Sequence, residues 1–451
     1  MTVNTAVKQQ TFRKLGLNPK LVNALDAQGI VTPFPIQAAT IPDALAGHDI
    51  LGKGQTGSGK TLAFGLTLLH NITGLRAKPG RPLAVVLAPT RELAQQINEV
   101  ISKLGKSVGQ ESALIAGGLS YGKQVSAMKR SIGVVVATPG RLLDLVEKKH
   151  VRMDDVEIMV LDEADQMADM GFLPDVKRIL NLVKPGGQRF LFSATLDRDV
   201  DVLVKQYLVN PKTHEVADMA GTKSRSAHYV FLVSHGDKTN ITSQIAAREG
   251  KAIFFTRTKR GADRLSANLA NVGVKVGTLH GGKSQAIRTR TLAEFKKQDS
   301  GVLVATDVAA RGIHVDDVDL VLHFDAPADH KDYLHRSGRT ARAGKAGRVV
   351  TLATKQEQKT VNGMTSRAGV EPKVISVLPM DQELVRITGA KKPSGVPILI
   401  APTEEPKRAQ PKNRSRSDRN RSRSKSRNRF ENKKSFERGR SASGRKSRSA
   451  R

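Results

Sequence analysis

The segment Gly54-Gln55-Thr56-Gly57-Ser58-Gly59-Lys60-Thr61 constrains this chain more than any other. It has the pattern G-x-x-x-x-G-K-[ST] and lies between a short apolar run and the helix-like stretch Leu62–His70. Glycines at this spacing let backbone N–H groups close around phosphate oxygens at the start of a helix. Such a loop needs a buried strand to deliver it and a helix to leave it, which predicts an α/β fold. Lys60 is suited to reach the β- and γ-phosphates, and the Thr61 hydroxyl to ligate Mg²⁺. ATP and Mg²⁺ are the cofactors this implies.

The rest of the chain agrees. In the first half, short apolar runs occur at His48–Leu51, Leu83–Ala88, Val134–Thr138, Ile158–Leu161 and Phe190–Phe192, with helical segments between them. Runs of this length read as buried strands of a parallel sheet. After the polar stretch Ala217–Ala227 the pattern restarts, at Ala252–Phe255, Lys275–Leu279, Gly301–Ala305, Leu320–Phe324 and Arg348–Leu352. Two parallel-sheet domains follow, over 1–215 and 227–385, joined by a linker at 216–226 and followed by a flexible basic tail over 386–451.

Charge points to a polyanionic partner. The formal net charge is +32, and Pro406–Arg451 alone has 19 Lys/Arg against Asp418, Glu431 and Glu437, a net of +16. Charge serving solubility alone has no reason to be concentrated in this way. The tail is Arg, Ser, Lys and Asn with almost no aliphatic residues, so it is expected to be disordered and to tether nucleic acid through counterion release. No stretch approaches the roughly 20 apolar residues of a membrane span. With no cysteine there are no disulfides and no thiolate metal sites, which suits a reducing cytoplasm.

Strand Ile158–Leu161 runs into Asp162-Glu163-Ala164-Asp165. Acidic residues at the carboxyl end of a buried strand are suited to holding a metal and activating water. Asp162 is the candidate for Mg²⁺, through a water molecule, and Glu163 for the attacking water.

Asp162–Asp165 also spells the name-giving motif of the DEAD-box RNA helicases, which the chain resembles. Gly29–Gln37 resembles that family's Q motif, with Phe12 at the expected upstream spacing. Pro89–Ala94, Gly117-Gly118, Thr138–Arg141 and Ser193-Ala194-Thr195 follow in the family's order. In the second half come Ile253–Thr258, Gln285–Arg288, Ala305–Ile313 and His335–Arg342.

The resemblance implies two tandem RecA-like domains with ATP and RNA bound across their cleft. Gln37 would hydrogen-bond the adenine edge and Phe12 would pack beside the base. Gly54 to Thr61, including Gln55, Thr56, Gly57, Ser58 and Gly59, would surround the phosphates with Asp162. Arg339 and Arg342 would act as arginine fingers with Lys60 and Glu163, while Asp165, Ser193, Thr195 and His335 would couple ATP to strand separation. Thr90, Arg91, Gly118, Gly140 and Arg141 would contact RNA from the first half, and Gln285, Arg288 and Thr306 from the second. Hydroxyls, guanidiniums and close backbone suit phosphates, so recognition is expected to follow the RNA backbone rather than its sequence.

The chain departs from the family pattern at several positions. Phe34 stands where Thr is usual, Ser337 and Ala341 replace Ile and Gly, and His314 replaces an Asp that commonly contacts the ribose. The expected activity is RNA-stimulated ATP hydrolysis coupled to domain closure, which melts short duplexes or remodels RNA–protein complexes, including ribosomal or RNA-decay assemblies. A DNA translocase and an ATP-independent RNA chaperone are the competing readings. Gln37 with Phe12 argues against the first, and the set Lys60, Glu163, Arg339 and Arg342 against the second.

Overall fold

The structure, a computed structural model, describes residues 11–54, 57–215, 226–310, 315, 317–341 and 346–398. Expectations for Gln55, Thr56, His314, Arg342, most of the linker and the basic tail concern residues outside these. Among the described residues, the first half forms seven strands: Ile50–Lys53 (β1), Ala84–Leu87 (β2), Ser112–Ile115 (β3), Val134–Ala137 (β4), Ile158–Asp162 (β5), Gln188–Ser193 (β6) and Lys212–Glu215 (β7). All pairs are parallel, in the order β3-β4-β2-β5-β6-β1-β7.

The second half repeats the plan with Ser226–Leu232 (β8), Lys251–Phe255 (β9), Val276–Leu279 (β10), Gly301–Ala305 (β11), Val318–His323 (β12), Gly347–Ala353 (β13) and Lys373–Ser376 (β14). Its order, β10-β11-β9-β12-β13-β8-β14, is the first sheet's order strand for strand. Both sheets belong to one compact unit.

Each sheet is apolar on both faces because its strands alternate between two cores. Along β2, Ala84 and Val86 enter one core and Val85 and Leu87 the other. Along β11, Val302 and Val304 face one side and Leu303 and Ala305 the opposite side. A fully buried Val or Leu contributes about 2 kcal/mol, so two-sided burial explains the unbroken apolar runs in the sequence.

The strands not anticipated are mostly at edges. β7 and β14 lie at sheet edges with most of their residues exposed, and β3 is the opposite edge of the first sheet. They need no continuous apolar run. β8 is interior, but it opens with Ser226 and Ala227, which end the polar stretch read between the domains. Ser226 is therefore strand rather than linker.

The second half also extends past residue 385. Helix Gln382–Thr388 continues through that boundary, Ala390 is buried, and the N–H groups of Lys391, Gly395 and Ile398 bond to Gln244, Val272 and Ala270.

Candidate functional site

The phosphate loop leaves β1 at Lys53, and the Gly54 N–H donates to the Ser193 carbonyl at 3.1 Å, which ties it to the end of β6. Gly59 has φ 92, and a Cβ there would fall 2.4 Å from Gln37 Nε2. Only glycine meets both conditions. Gln37 Nε2 donates to the Gly59 carbonyl at 2.9 Å, and Gln37 Oε1 accepts the Phe34 N–H at 2.8 Å. The helix Pro35–Leu45 is thereby tied to the loop. A carboxamide has four hydrogen-bonding positions, and these bonds use one N–H and one lone pair.

Lys60 opens helix Lys60–Asn71, is buried, and donates from Nζ to the Gly54 carbonyl at 2.7 Å. Thr61 follows it, half-buried. The Ser58 hydroxyl is buried with no hydrogen-bond partner among the described residues, a polar atom that a phosphate oxygen would satisfy.

Phe12 differs from expectation. It is 1% exposed within the first core and offers almost no face to a base. Its N–H reaches the Val31 carbonyl at 3.5 Å, so it supports the Q-motif loop from beneath. Phe34, 48% exposed, is instead the aromatic ring lying against Gly59.

β5 delivers Asp162 and Glu163 to the same region, and both are buried. Glu163 takes the left-handed conformation, φ 53 and ψ 55, an uncommon backbone state for a side chain of this size. Its N–H donates to Asp162 Oδ1 at 3.0 Å. Burial pushes the Asp162 carboxyl up to about 7, with Lys60 opposing the shift and the Glu163 carboxylate adding to it. A divalent cation would offset this crowding of negative charge. The donors, carboxylate and hydroxyl oxygens, suit Mg²⁺. Among the described residues no three His, Cys, Asp or Glu side chains gather into a metal-binding group.

Asp165 connects this acidic turn to the end of β6. Its Oδ2 accepts from the Thr195 N–H at 2.8 Å, the Thr195 hydroxyl at 2.9 Å and the Ala194 N–H at 3.2 Å. The Ser193 hydroxyl accepts the Asp165 N–H at 3.2 Å. The expected coupling group of Asp165, Ser193 and Thr195 is thus one hydrogen-bonded unit. Through Gly54 it is joined to the phosphate loop.

In the second half, helix His330–Ser337 carries His335, and Arg339 follows it. Arg339 is buried, with Nε donating to the His335 carbonyl at 3.2 Å. Arg336 makes the stronger attachment, a bidentate bond to Asp307 at 2.5 and 2.8 Å and a third bond to the Asp325 carbonyl at 2.7 Å. This bracket fixes the helix to the ends of β11 and β12.

Of the residues expected to bind RNA, all but Thr306 come together. A cavity of about 420 Å³ is lined by Thr90, Arg91, Gly140 and Arg141 from the first half and Arg288 from the second. Gly118 lies under Arg91, where a Cβ would fall 2.0 Å from Nη1. Arg91 Nη1 donates to Gln285 Oε1 at 3.2 Å, and Gln285 Nε2 donates to Glu92 Oε1 at 3.1 Å. Arg288 pairs with Glu92 at 2.8 Å. Thr306 is buried at the end of β11, where its N–H bonds to the Leu279 carbonyl; it does not line the cavity.

Sequence reasoning did not single out Glu92, Asp307 or Arg336 within the motifs that contain them, nor Asp197 and Lys331 outside them. Carboxylate–cation pairs far apart in sequence leave no local pattern. Only the fold brings them into register.

The geometry has direct counterparts. Residues 34–203 match the DEAD/DEAH box helicase family and residues 237–344 the helicase conserved C-terminal domain. A DEAD-box ATP-dependent RNA helicase 9 from Oryza sativa subsp. japonica is 40% identical over 364 residues, 79% of this chain; the chain spans only 57% of that relative's length. ATP-dependent RNA helicase RhlB from Shigella dysenteriae is 38% identical over 360 residues, covering 78% of this chain and 86% of the relative. The structure of S. cerevisiae Dbp5 bound to RNA and ADP BeF3 superposes with a TM-score of 0.71 at 31% identity, covering 81% of this chain and 95% of Dbp5. With its phosphate loop, acidic turn and two matching sheets in one order, this chain belongs to the DEAD-box ATP-dependent RNA helicase family.

Proposed function

We propose that the protein is an RNA-dependent ATPase that separates short RNA duplexes or remodels RNA–protein complexes by closing its two domains on ATP and RNA. The observation that carries this reading is one cavity lined by Thr90, Arg91, Gly140 and Arg141 of the first half and Arg288 of the second. Cations and close backbone from both halves suit one phosphodiester chain laid across the cleft. A strand held there would bridge the domains and favour their closure.

Magnesium-bound ATP would supply the γ-phosphate that water attacks, with Asp162 and Thr61 holding the ion. Glu163 accepts the proton of that water, from a backbone position fixed by β5 and by its bond to Asp162. Lys60 leaves the Gly54 carbonyl to meet phosphate oxygens, and Gln37 keeps the base end of the pocket in register with Gly59. Arg339 would approach the phosphate from the second domain, the role also expected of Arg342. The Asp165–Thr195 unit carries the state of the phosphate loop towards the cleft, because Ser193 bonds to both Gly54 and Asp165.

The reading extends to a cytoplasmic setting and to ribosomal or RNA-decay assemblies as partners, in keeping with the basic charge and the lack of cysteine. Steady-state ATP hydrolysis with single-stranded RNA, single-stranded DNA or neither tests it. Stimulation by RNA and little by DNA is expected. Equal stimulation by DNA would favour a DNA translocase.

A further inference from the structure

Lys331 lies in the first turn of helix His330–Ser337, four residues before His335 and eight before Arg339. Its ammonium crosses to the first half, where it meets Asp197 Oδ2 at 2.5 Å and Asp169 Oδ1 at 3.6 Å. Asp197 caps helix Arg198–Tyr207 through Oδ1, which accepts the Val200 N–H at 3.0 Å, and it follows Thr195 by two residues. Asp169 ends the helix Ala164–Asp169 that begins at the acidic turn.

One side chain therefore touches the segment after the coupling unit and the helix after the acidic turn. It does so from the helix that carries His335 and leads into Arg339. The pair is mutually reinforcing: the bond to Asp197 raises the Lys331 ammonium, and Lys331 holds the Asp197 carboxyl below its ordinary range against the opposing effect of burial. All three side chains are roughly three-quarters enclosed, so the attraction is less screened than at an open surface.

We infer that Lys331 is a positioning residue for ATP hydrolysis: its ion pair with Asp197 and Asp169 sets the angle at which the helix that bears His335 and leads into Arg339 meets the acidic turn. Other contacts across the cleft join the two halves where RNA is expected, through Glu92 and Arg288. Lys331 joins them on the nucleotide side. The inference rests on the helicase reading for its consequence in hydrolysis, but not for its consequence in domain closure.

The test uses the full chain. Because it has no native cysteine, one introduced cysteine on each domain can be labelled for single-molecule energy transfer. Lys331→Asp is expected to reduce the closed population and to lower RNA-stimulated kcat by roughly fivefold at low salt, with KM for ATP little changed. Lys331→Arg should retain both properties. The exchange Lys331→Asp with Asp197→Lys should recover most of each, and the gap between wild type and Lys331→Asp should narrow as salt screens the pair.

The inference is overturned if Lys331→Asp closes like wild type, or if the exchanged pair is no better than the single variant. If wild-type hydrolysis ignores RNA, the helicase reading fails, and the closed populations of the same four proteins still decide the role of Lys331.

Discussion

Glu92 Oε1 lies 2.8 Å from Arg288 Nη2, joining the helix that follows β2 to the helix that follows β10. Both side chains are largely enclosed, and burial lowers the Arg288 guanidinium pKa while Glu92 opposes that shift. A cation held at the cleft wall in this way is already positioned for a phosphate, so little side-chain ordering remains to be done when RNA arrives.

Arg288→Ala is accordingly expected to weaken single-stranded RNA binding by about tenfold, roughly 1.4 kcal/mol, and to reduce the salt slope of binding by about one. Fluorescence anisotropy across a salt series measures both. An unchanged slope would remove Arg288 from the RNA track.

The second domain should make the protein acid-sensitive. His228 Nδ1 lies 2.8 Å from the Tyr333 hydroxyl, and His323 Nδ1 lies 2.9 Å from the Thr351 hydroxyl. Burial lowers His228 to about 4 and holds His323 well below its ordinary value. Below pH 6.5 the unfolded chain takes up protons that the folded imidazoles refuse, so stability is complete above that value and falls as pH drops toward 4. For His228 the loss is about 2 kcal/mol between pH 6.5 and 5. Thermal melts across this range should show a shallower pH dependence for His228→Asn than for wild type, whatever its baseline. Equal slopes would mean that the site does not exclude protons.

A third expectation concerns Ala341, which stands where the family usually has Gly. Ala341 has φ 57, the left-handed region that glycine enters freely. The family's usual residue is thus explained by backbone geometry, and this chain carries the strain two residues beyond Arg339. Ala341→Gly is expected to stabilise the second domain by about 1 kcal/mol and to raise its melting temperature by about 2 °C. Calorimetry measures it; a lower melting temperature would show that the left-handed state costs nothing here.

Local signals carried most of the fold. The phosphate loop, the run into Asp162 and the buried central strands such as β2, β5, β9 and β11 are fixed by short-range chemistry, so they were legible in the sequence. β7 and β14 were not, because an edge strand with exposed Lys, Thr, Glu or Ser has no apolar signature. The site divides in the same way. Gln37, Lys60 and Asp162 belong to ordered motifs. The pairs Glu92–Arg288, Asp307–Arg336 and Asp197–Lys331 depend on elements brought together only by tertiary packing. Phe12 shows the opposite limit: its motif spacing suggests a place beside the base, yet the ring is buried in the first core.

In the proposed function, hydrolysis needs Glu163 and is driven by RNA across the cleft. Its most direct test is steady-state ATP turnover by wild type and Glu163→Gln, with and without single-stranded RNA, alongside equilibrium binding of a fluorescent ATP analogue. RNA should accelerate the wild type, and Glu163→Gln should turn over at least about a hundredfold more slowly while still binding nucleotide and RNA. Turnover by Glu163→Gln at the wild-type rate, or wild-type turnover indifferent to RNA, would contradict it.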